Sequence, residues 1–384
     1  MTAQVLVIGA GPAGIACAYY LKKAQIPYVV VDKANVIAST WASLYPSLRL
    51  NTTRFFSHLP ERKFPLHYGI FPTGKQYHAY LVKYAHDFEL NIQLGVTVHR
   101  VCAEGDGWRV ITNMGSDWYP CVISATGRFN APFTPYIDGA ETFTGKIIHA
   151  HDYLGYEPYI GKRVMVVGNG PSGVDIASEL GRKRQCTAVY LAQRTGVVLR
   201  PRYPYGLPKH AWVMLGEMLP KAIGERLIRH IESLRFSNLE QFGIRVPHSD
   251  AESSAAGGTR GRELIYVAKR GWVTCVPAPI RFDGDSVILA DHTRLQVDVV
   301  IMGTGYKAVL HDYLHLNAPR DKADWLLREG QDPHDITTGK RQILGQPGLY
   351  EVGTFYQGKG AMYNFNIEAK QAVDEIVARL AEQA

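Results

Sequence analysis

No pair of cysteines stands at metal-binding or redox spacing in this chain. Its five cysteines, Cys17, Cys102, Cys121, Cys186 and Cys275, lie far apart and are odd in number. That excludes a CxxC zinc site and a disulfide framework, and it reads as free thiols in a reducing, cytoplasmic setting. Metal ligation is not expected. No run approaches the ~18 apolar residues that a membrane-spanning helix requires. The opening MTAQVLVIGAG has neither the basic stretch nor the long apolar stretch of a secretory signal. Blocks of like charge are missing too. The excess is only +7 over 384 residues and the lysines and arginines are scattered, so nucleic acid is not the expected partner. What remains is an ordinary globular composition, 46% hydrophobic and 20% charged, in a chain long enough for two or three domains.

Glycine, by contrast, is placed with a pattern. Gln4 to Ile8 is a short β-branched run of the kind that forms a buried parallel strand. It runs into Gly9-Ala10-Gly11-Pro12-Ala13-Gly14, then an apolar-periodic helix to about Lys22, then a second strand, Tyr28 to Val31, ending at Asp32. Each part has a mechanical job. Gly9 allows a tight turn, Gly11 admits a pyrophosphate to the backbone, and Gly14 lets the helix pack closely. The helix N-terminus offers free N–H groups and partial positive charge to phosphates. Asp32 can accept hydrogen bonds from ribose hydroxyls and repels a 2′-phosphate, so this cradle favours FAD or NAD over NADP.

The same logic begins again in mid-chain. Val164 to Val167 leads into Gly168-Asn169-Gly170-Pro171-Ser172-Gly173, and the next strand, Ala188 to Ala192, delivers Gln193, Arg194 and Thr195 instead of an acid. A guanidinium at the strand tip suits a 2′-phosphate. The second cradle therefore expects NADPH.

Other stretches are read more briefly. Tyr77 to Asp87 has helical periodicity with a tyrosine-rich core face, and His210 to Ile231 is amphipathic, broken at Pro220, and suited to a lid or packing face. Ile265 to Val276 and Ser286 to Leu289 read as hairpin strands. Asp298 to Met302 is an apolar strand closing in Gly303-Thr304-Gly305, and Leu349 to Val352 is a last short strand before a terminal helix. Both late strands are expected to complete the first sheet. The fold class is then α/β, with two Rossmann-like dinucleotide-binding domains. An NADPH domain, 158–287, is inserted into a discontinuous FAD domain, 1–157 and 288–384. Phe143 to Tyr153 is expected to be the crossing between them.

With these residues in hand, the chain resembles the flavin-containing monooxygenases of the single-component, two-dinucleotide kind, a group that includes the YUCCA enzymes. Phe143-x-Gly145-x-x-x-His149-x-x-x-Tyr153 matches the family fingerprint FxGxxxHxxx(F/Y). Asp298 to Tyr306 is similar to the family's D-x-x-x-(L/F)-A-T-G-Y element, departing at Met302 and Gly303. Ala125-Thr126-Gly127 resembles its ATG turn, and Ser47 to Thr52 resembles a segment with an asparagine beside the flavin.

The resemblance implies FAD and NADPH as cofactors and a C4a-hydroperoxyflavin that oxygenates a soft nucleophile, an amine nitrogen or a sulfide sulfur, with an indole-like substrate in view. It implies Asn51 as the active-site residue. Lys33, Trp41, Arg49 and Thr52 join the two glycine loops, Asp32, the two ATG-like turns, Arg194 and Thr195 as cofactor contacts. A small-molecule substrate, O2 and a homodimer are the implied partners. Baeyer–Villiger oxygenation of a ketone is the first alternative, although that fingerprint ends in Trp where this chain has Tyr153. The others are an oxidase or redox sensor without productive oxygenation, and a disulfide reductase, which would need the missing cysteine pair.

Overall fold

The computed structural model describes residues 3–129, 131–247, 258–307, 313–320, 326–330, 337–354 and 359–383. The chain divides into two compact units. One comprises Met1–Ala42, Thr52–Ala131 and Lys307–Ala384; the other comprises Ser43–Asn51 and Pro132–Tyr306.

The first unit is built on a parallel sheet ordered Leu349–Glu351, Cys121–Ser124, Val5–Ile8, Tyr28–Asp32, Ile92–Leu94. The central strand pairs Val5 with Tyr28 on one side and with Cys121 on the other. All four of its residues are buried, as a strand covered on both faces must be. The helix Pro12–Lys23 follows directly, started by Pro12 at its first turn where a missing N–H is harmless. Gly74–Asp87 is the expected helix. A reciprocal capping box between Thr73 and Gln76 opens it, and Tyr77, Tyr80, Leu81 and Tyr84 form its buried face. The terminal helix Ala361–Gln383 buries Ala369, Ala372, Val373 and Ile376.

The second unit repeats the plan. Its parallel sheet runs Thr274–Pro277, Ala188–Gln193, Arg163–Val167, Val299–Met302, Lys146–His149. Three expectations are corrected here. The strand Val299–Met302 does not complete the first sheet. It pairs with the second unit's central strand, Val164 opposite Val299 and Val167 opposite Met302. Arg163 fixes that register, its Nη2 donating to Asp298 Oδ1 at 2.7 Å and its backbone N–H to Oδ2 at 2.7 Å. Of the two late strands only Leu349–Glu351 joins the first sheet.

The fingerprint segment is likewise no crossing. Lys146–His149 is an edge strand of the second sheet, paired with Val299–Met302, so the second unit reaches from Pro132 to Tyr306 rather than over 158–287. Lastly, Ile265 to Val276 is not a hairpin arm. Leu264 and Val267 are buried one turn apart in the helix Glu263–Lys269, and the strand starts at Thr274. The hairpin at Asp283-Gly284-Asp285 forms as read, with Pro279–Asp283 antiparallel to Ser286–Leu289. The amphipathic stretch folds as the helices Lys209–Met218 and Lys221–Ser233, separated at Pro220. Among the described residues, no helix is long and apolar enough to cross a membrane.

Candidate functional site: two dinucleotide cradles

In the first unit the strand Val5–Ile8 turns at Gly9, whose φ of +108° falls in the region open chiefly to glycine. A Cβ there would lie 2.7 Å from the carbonyl oxygen of Ala125, and one on Gly14 would lie 1.9 Å from that of Gly9. A Cβ on Gly11 would meet nothing within 4 Å. The loop is therefore closed on its protein side and open in front of the helix N-terminus, where a pyrophosphate sits when a dinucleotide binds.

Asp32 ends the next strand and braces the loop. Its Oδ2 accepts from the Ala10 N–H at 2.7 Å and its Oδ1 from the Ala34 N–H at 2.9 Å. Thr126 follows Ala125, and the turn is held by a residue that sequence reading missed. The buried Tyr313 hydroxyl is 2.6 Å from Ser124 Oγ and 3.3 Å from Thr126 Oγ1, and burial pushes this phenol up to about 12. Gly127 turns the chain at φ +69°. A Cβ on Gly353, just past the last strand, would lie 2.8 Å from Ala13 Cβ, so that strand end packs on the loop helix.

The second cradle superimposes residue for residue in logic. Gly168 has φ +113°, and a Cβ there would lie 2.3 Å from the carbonyl oxygen of Gly303. A Cβ on Gly173 would lie 2.0 Å from that of Gly168, while Gly170 faces open space. Gly303 thus stands to Gly168 as Ala125 stands to Gly9. A Cβ on Gly303 would come within 3.1 Å of Gly173 Cα and 3.2 Å of the Val167 oxygen, so an alanine there, as in the family pattern, would need its neighbours to move by a few tenths of an ångström. The helix Pro171–Lys183 leaves the loop with Pro171 exposed and Ser172 half-buried. Thr304 donates its hydroxyl hydrogen to the Phe133 carbonyl.

At the tip of Ala188–Gln193, Gln193 is buried, Arg194 is exposed and Thr195 is half-buried. Sequence reading missed Arg245. Its N–H donates to Gln193 Oε1 at 2.9 Å, and its guanidinium Nη1 donates to the Arg194 carbonyl at 2.8 Å. A second guanidinium is therefore tied to the same strand tip.

The fingerprint residues now have physical reasons. Phe143 is buried, with its ring centroid 4.9 Å from that of Phe282. Gly145 sits under that ring, where a Cβ would be 2.5 Å from Phe143 Cζ and 2.7 Å from the Asp298 oxygen. His149 Nδ1 accepts from the His151 N–H at 3.0 Å, so the proton is on Nε2, which donates to the Gly305 carbonyl at 3.0 Å. Burial lowers its pKa below the usual 6.5, and the bond to Gly305 only partly offsets this. Both ring nitrogens serve the backbone, which makes His149 a neutral brace for the Gly305 turn. Tyr153, fully buried, donates to Glu179 Oε2 at 3.2 Å.

Of the remaining candidates, Asn51 and Arg49 are exposed on the Ser43–Asn51 segment of the second unit. Tyr45 anchors that segment, its hydroxyl donating to Asp175 Oδ2 at 3.1 Å. Burial pushes Asp175 up to about 6, offset by Tyr45 and by Arg202. In the first unit Lys33 is exposed, Trp41 stands edge-on to Tyr77 at 4.5 Å, and Thr52 Oγ1 is 2.6 Å from Ser57 Oγ.

Comparisons with known proteins agree with this architecture. A family model described as pyridine nucleotide-disulphide oxidoreductase matches residues 6–205. That description covers disulfide chemistry, but all five cysteines here are free thiols. The chain is 32% identical to the probable indole-3-pyruvate monooxygenase YUCCA9 of Arabidopsis thaliana, over 92% of this chain and 84% of that protein. It is 29% identical to the probable indole-3-pyruvate monooxygenase YUCCA3 of the same plant, over 99% and 87%. Among solved structures, a flavin-containing monooxygenase from Stenotrophomonas maltophilia shares the fold with a TM-score of 0.71 at 22% identity, covering 98% of each chain.

Proposed function

The chain belongs to the flavin-containing monooxygenases, and from that premise we propose that it uses NADPH and O2 to place one oxygen atom on a small organic substrate. The observation that carries this reading is the pair of cradles with opposite charge at their ribose ends, Asp32 at one and Arg194 with Arg245 at the other. In this reading the unit with Val5–Ile8 at its centre is the FAD domain and the unit with Arg163–Val167 at its centre is the NADPH domain. Both loops fit these groups, because Gly11 and Gly170 leave open the space that a pyrophosphate needs.

FAD, when bound, supplies the electron transfer and oxygen activation; the chain's own residues supply placement and exclusion of water. Asp32 binds the FAD ribose and disfavours a 2′-phosphate. Arg194 and Arg245 bind the 2′-phosphate of NADPH. Asn51 carries an uncharged amide that both donates and accepts, suited to hold activated oxygen by hydrogen bonds and keep water from draining it as H2O2. His149 has no free nitrogen for proton transfer and positions the Gly305 turn.

Two substrate classes are compatible with this reading. A soft nucleophile, amine nitrogen or sulfide sulfur, is consistent with Tyr153 closing the fingerprint where Baeyer–Villiger enzymes carry Trp. An aromatic 2-oxo acid is favoured by the full-length likeness to proteins named indole-3-pyruvate monooxygenases. A panel of trimethylamine, thioanisole and indole-3-pyruvate separates them by product, with O2-dependent loss of CO2 marking the oxo acid. The class itself is tested on the purified protein, which should be yellow and be bleached by NADPH in the absence of O2. A chain that neither carries FAD nor takes it up would overturn the proposal. The Asn51→Ala variant should keep FAD and its reduction by NADPH while electrons drain into H2O2; a normal product yield would remove Asn51 from the site.

A further inference from the structure

The segment Ser43–Asn51 belongs to the compact unit of residues 132–306, although the chain on both sides of it, Met1–Ala42 and Thr52–Ala131, belongs to the other. A short excursion of this kind must be held by something. Two hydrogen bonds to the helix Pro171–Lys183 and the packing of Tyr45 and Leu48 contribute to that hold.

Tyr45 is buried, packs its ring 6.1 Å from that of Tyr153, and donates to Asp175 Oδ2 at 3.1 Å. Ser47 donates to Glu179 Oε2 at 2.6 Å, and the same oxygen accepts from the buried Tyr153 at 3.2 Å. Leu48 packs on the core cluster of Val164, Val166 and Leu180. Asp175 and Glu179 are four residues apart, so they stand one above the other on a single helix face. Glu179 is buried, and a carboxylate taken out of water needs its lone pairs filled. The hydroxyls of Ser47 and Tyr153 fill those of Oε2. The grip also lies close to the cradle itself, because Asp175 stands one turn along the helix from Ser172 and Gly173 of the glycine loop.

We propose that Asp175 and Glu179 are positioning residues that hold the segment bearing Asn51, through Tyr45 and Ser47, on the helix that receives the nicotinamide dinucleotide. One rigid helix then carries two loads. Its N-terminal turn faces the pyrophosphate, and its second and third turns, through Asp175 and Glu179, grip the segment of the active-site asparagine. By linkage, a nucleotide that orders this helix and its loop orders the segment, and loosening the segment weakens nucleotide binding by the same factor. The inference rests on the reading of Asn51 and of the second cradle given above. It adds a physical route by which retained nucleotide and a placed asparagine come and go together. Tyr153 gains a role too, since the last fingerprint position completes the hydrogen bonding of Glu179.

The test uses the FAD-loaded full chain, comparing wild type, the double variant Tyr45→Phe with Ser47→Ala, Glu179→Gln, and Asn51→Ala. Hydrogen exchange of the peptide spanning 43–51 is followed with and without NADP+, with NADP+ affinity and the fraction of electrons lost as H2O2. The wild-type peptide should be protected by NADP+. The double variant should exchange faster there and nowhere else, bind NADP+ about three- to tenfold more weakly, the size expected of one or two lost hydroxyl bonds, and leak more H2O2. Glu179→Gln keeps an amide oxygen facing Ser47 and Tyr153 and should stay near wild type. The proposal is overturned if the double variant keeps wild-type exchange and yield, or if exchange rises evenly across the chain with no local effect. Failure of the Asn51 reading is told apart by Asn51→Ala giving full product yield while NADP+ still protects the 43–51 peptide.

Discussion

Replacing Arg194 by Ala removes one guanidinium from the tip of Ala188–Gln193 and leaves the other in place. Arg245 holds the Arg194 backbone carbonyl, at 2.8 Å, and not its side chain, so the tip keeps its shape in the variant. What is lost is a charge-assisted contact to the 2′-phosphate. Such contacts contribute about 1.5–3 kcal/mol. Because Arg194 is exposed and its field is screened by water and salt, the lower half of that range applies. A loss of ~1.5–2 kcal/mol corresponds to roughly 10–30-fold in affinity for NADPH. NADH has no 2′-phosphate, and its affinity should change by less than about twofold by the same reasoning. The assay is anaerobic bleaching of the flavin, with apparent Kd taken from the dependence of the rate on NADPH and on NADH. Adding Arg245→Ala should be non-additive if both guanidinium groups share one phosphate. Equal shifts for the two nucleotides would refute the assignment of the strand tip to the 2′-phosphate.

Gly173→Ala places a methyl 2.0 Å from the Gly168 oxygen, so the loop must open; NADPH-dependent reduction should be lost while FAD stays bound, and titration with NADPH checks it. Retained binding would mean the loop is not the cradle. His149→Phe removes two bonds to backbone, an expected loss of about 1–3 kcal/mol in denaturant unfolding. In the wild type the depressed His149 pKa adds stability above about 6.5, the ordinary value, which fades as pH falls through the folded value. The pH profile of flavin reduction should keep its shape in the variant, and a lost limb would make His149 a proton carrier. Asp175 has its pKa raised from 3.8 to about 6, so its contribution is full below the unfolded value and is lost as pH rises through the folded one. The two-unit shift amounts to about 3 kcal/mol. The stability of Asp175→Asn relative to wild type should therefore rise by up to that amount between about pH 4 and 7, and a pH-independent difference would refute the burial account.

The two cradles were legible because their signal is local: strand, glycine loop, helix and strand tip follow one another in the chain, and Gly14 and Gly173 each answer to a contact within their own loop, at Gly9 and Gly168. Tertiary partners were not. Val299–Met302 is a fully buried parallel strand, and nothing in such a run says which of two similar sheets it joins; the deciding contact is Arg163 to Asp298, far apart in sequence. Arg245 lies in an irregular stretch and reaches the cradle only through Gln193 and Arg194. Asp175 and Glu179 read as ordinary helix acids until Tyr45 and Ser47 are seen on them. The buried Glu368 was hidden in the apolar face of the terminal helix, where it accepts from Arg328 Nη1 at 2.6 Å and from the Gly353 N–H at 2.8 Å.

The central claim is that electrons from NADPH and an atom from O2 meet on one small substrate. It is tested most directly by turnover under isotope-labelled O2, with NADPH consumption, product and H2O2 counted together. The account predicts one labelled oxygen atom in the product for each NADPH oxidised in coupled turnover, from whichever member of the panel is the substrate. NADPH oxidation that delivers all its electrons to H2O2, with no label entering any substrate offered, would contradict it.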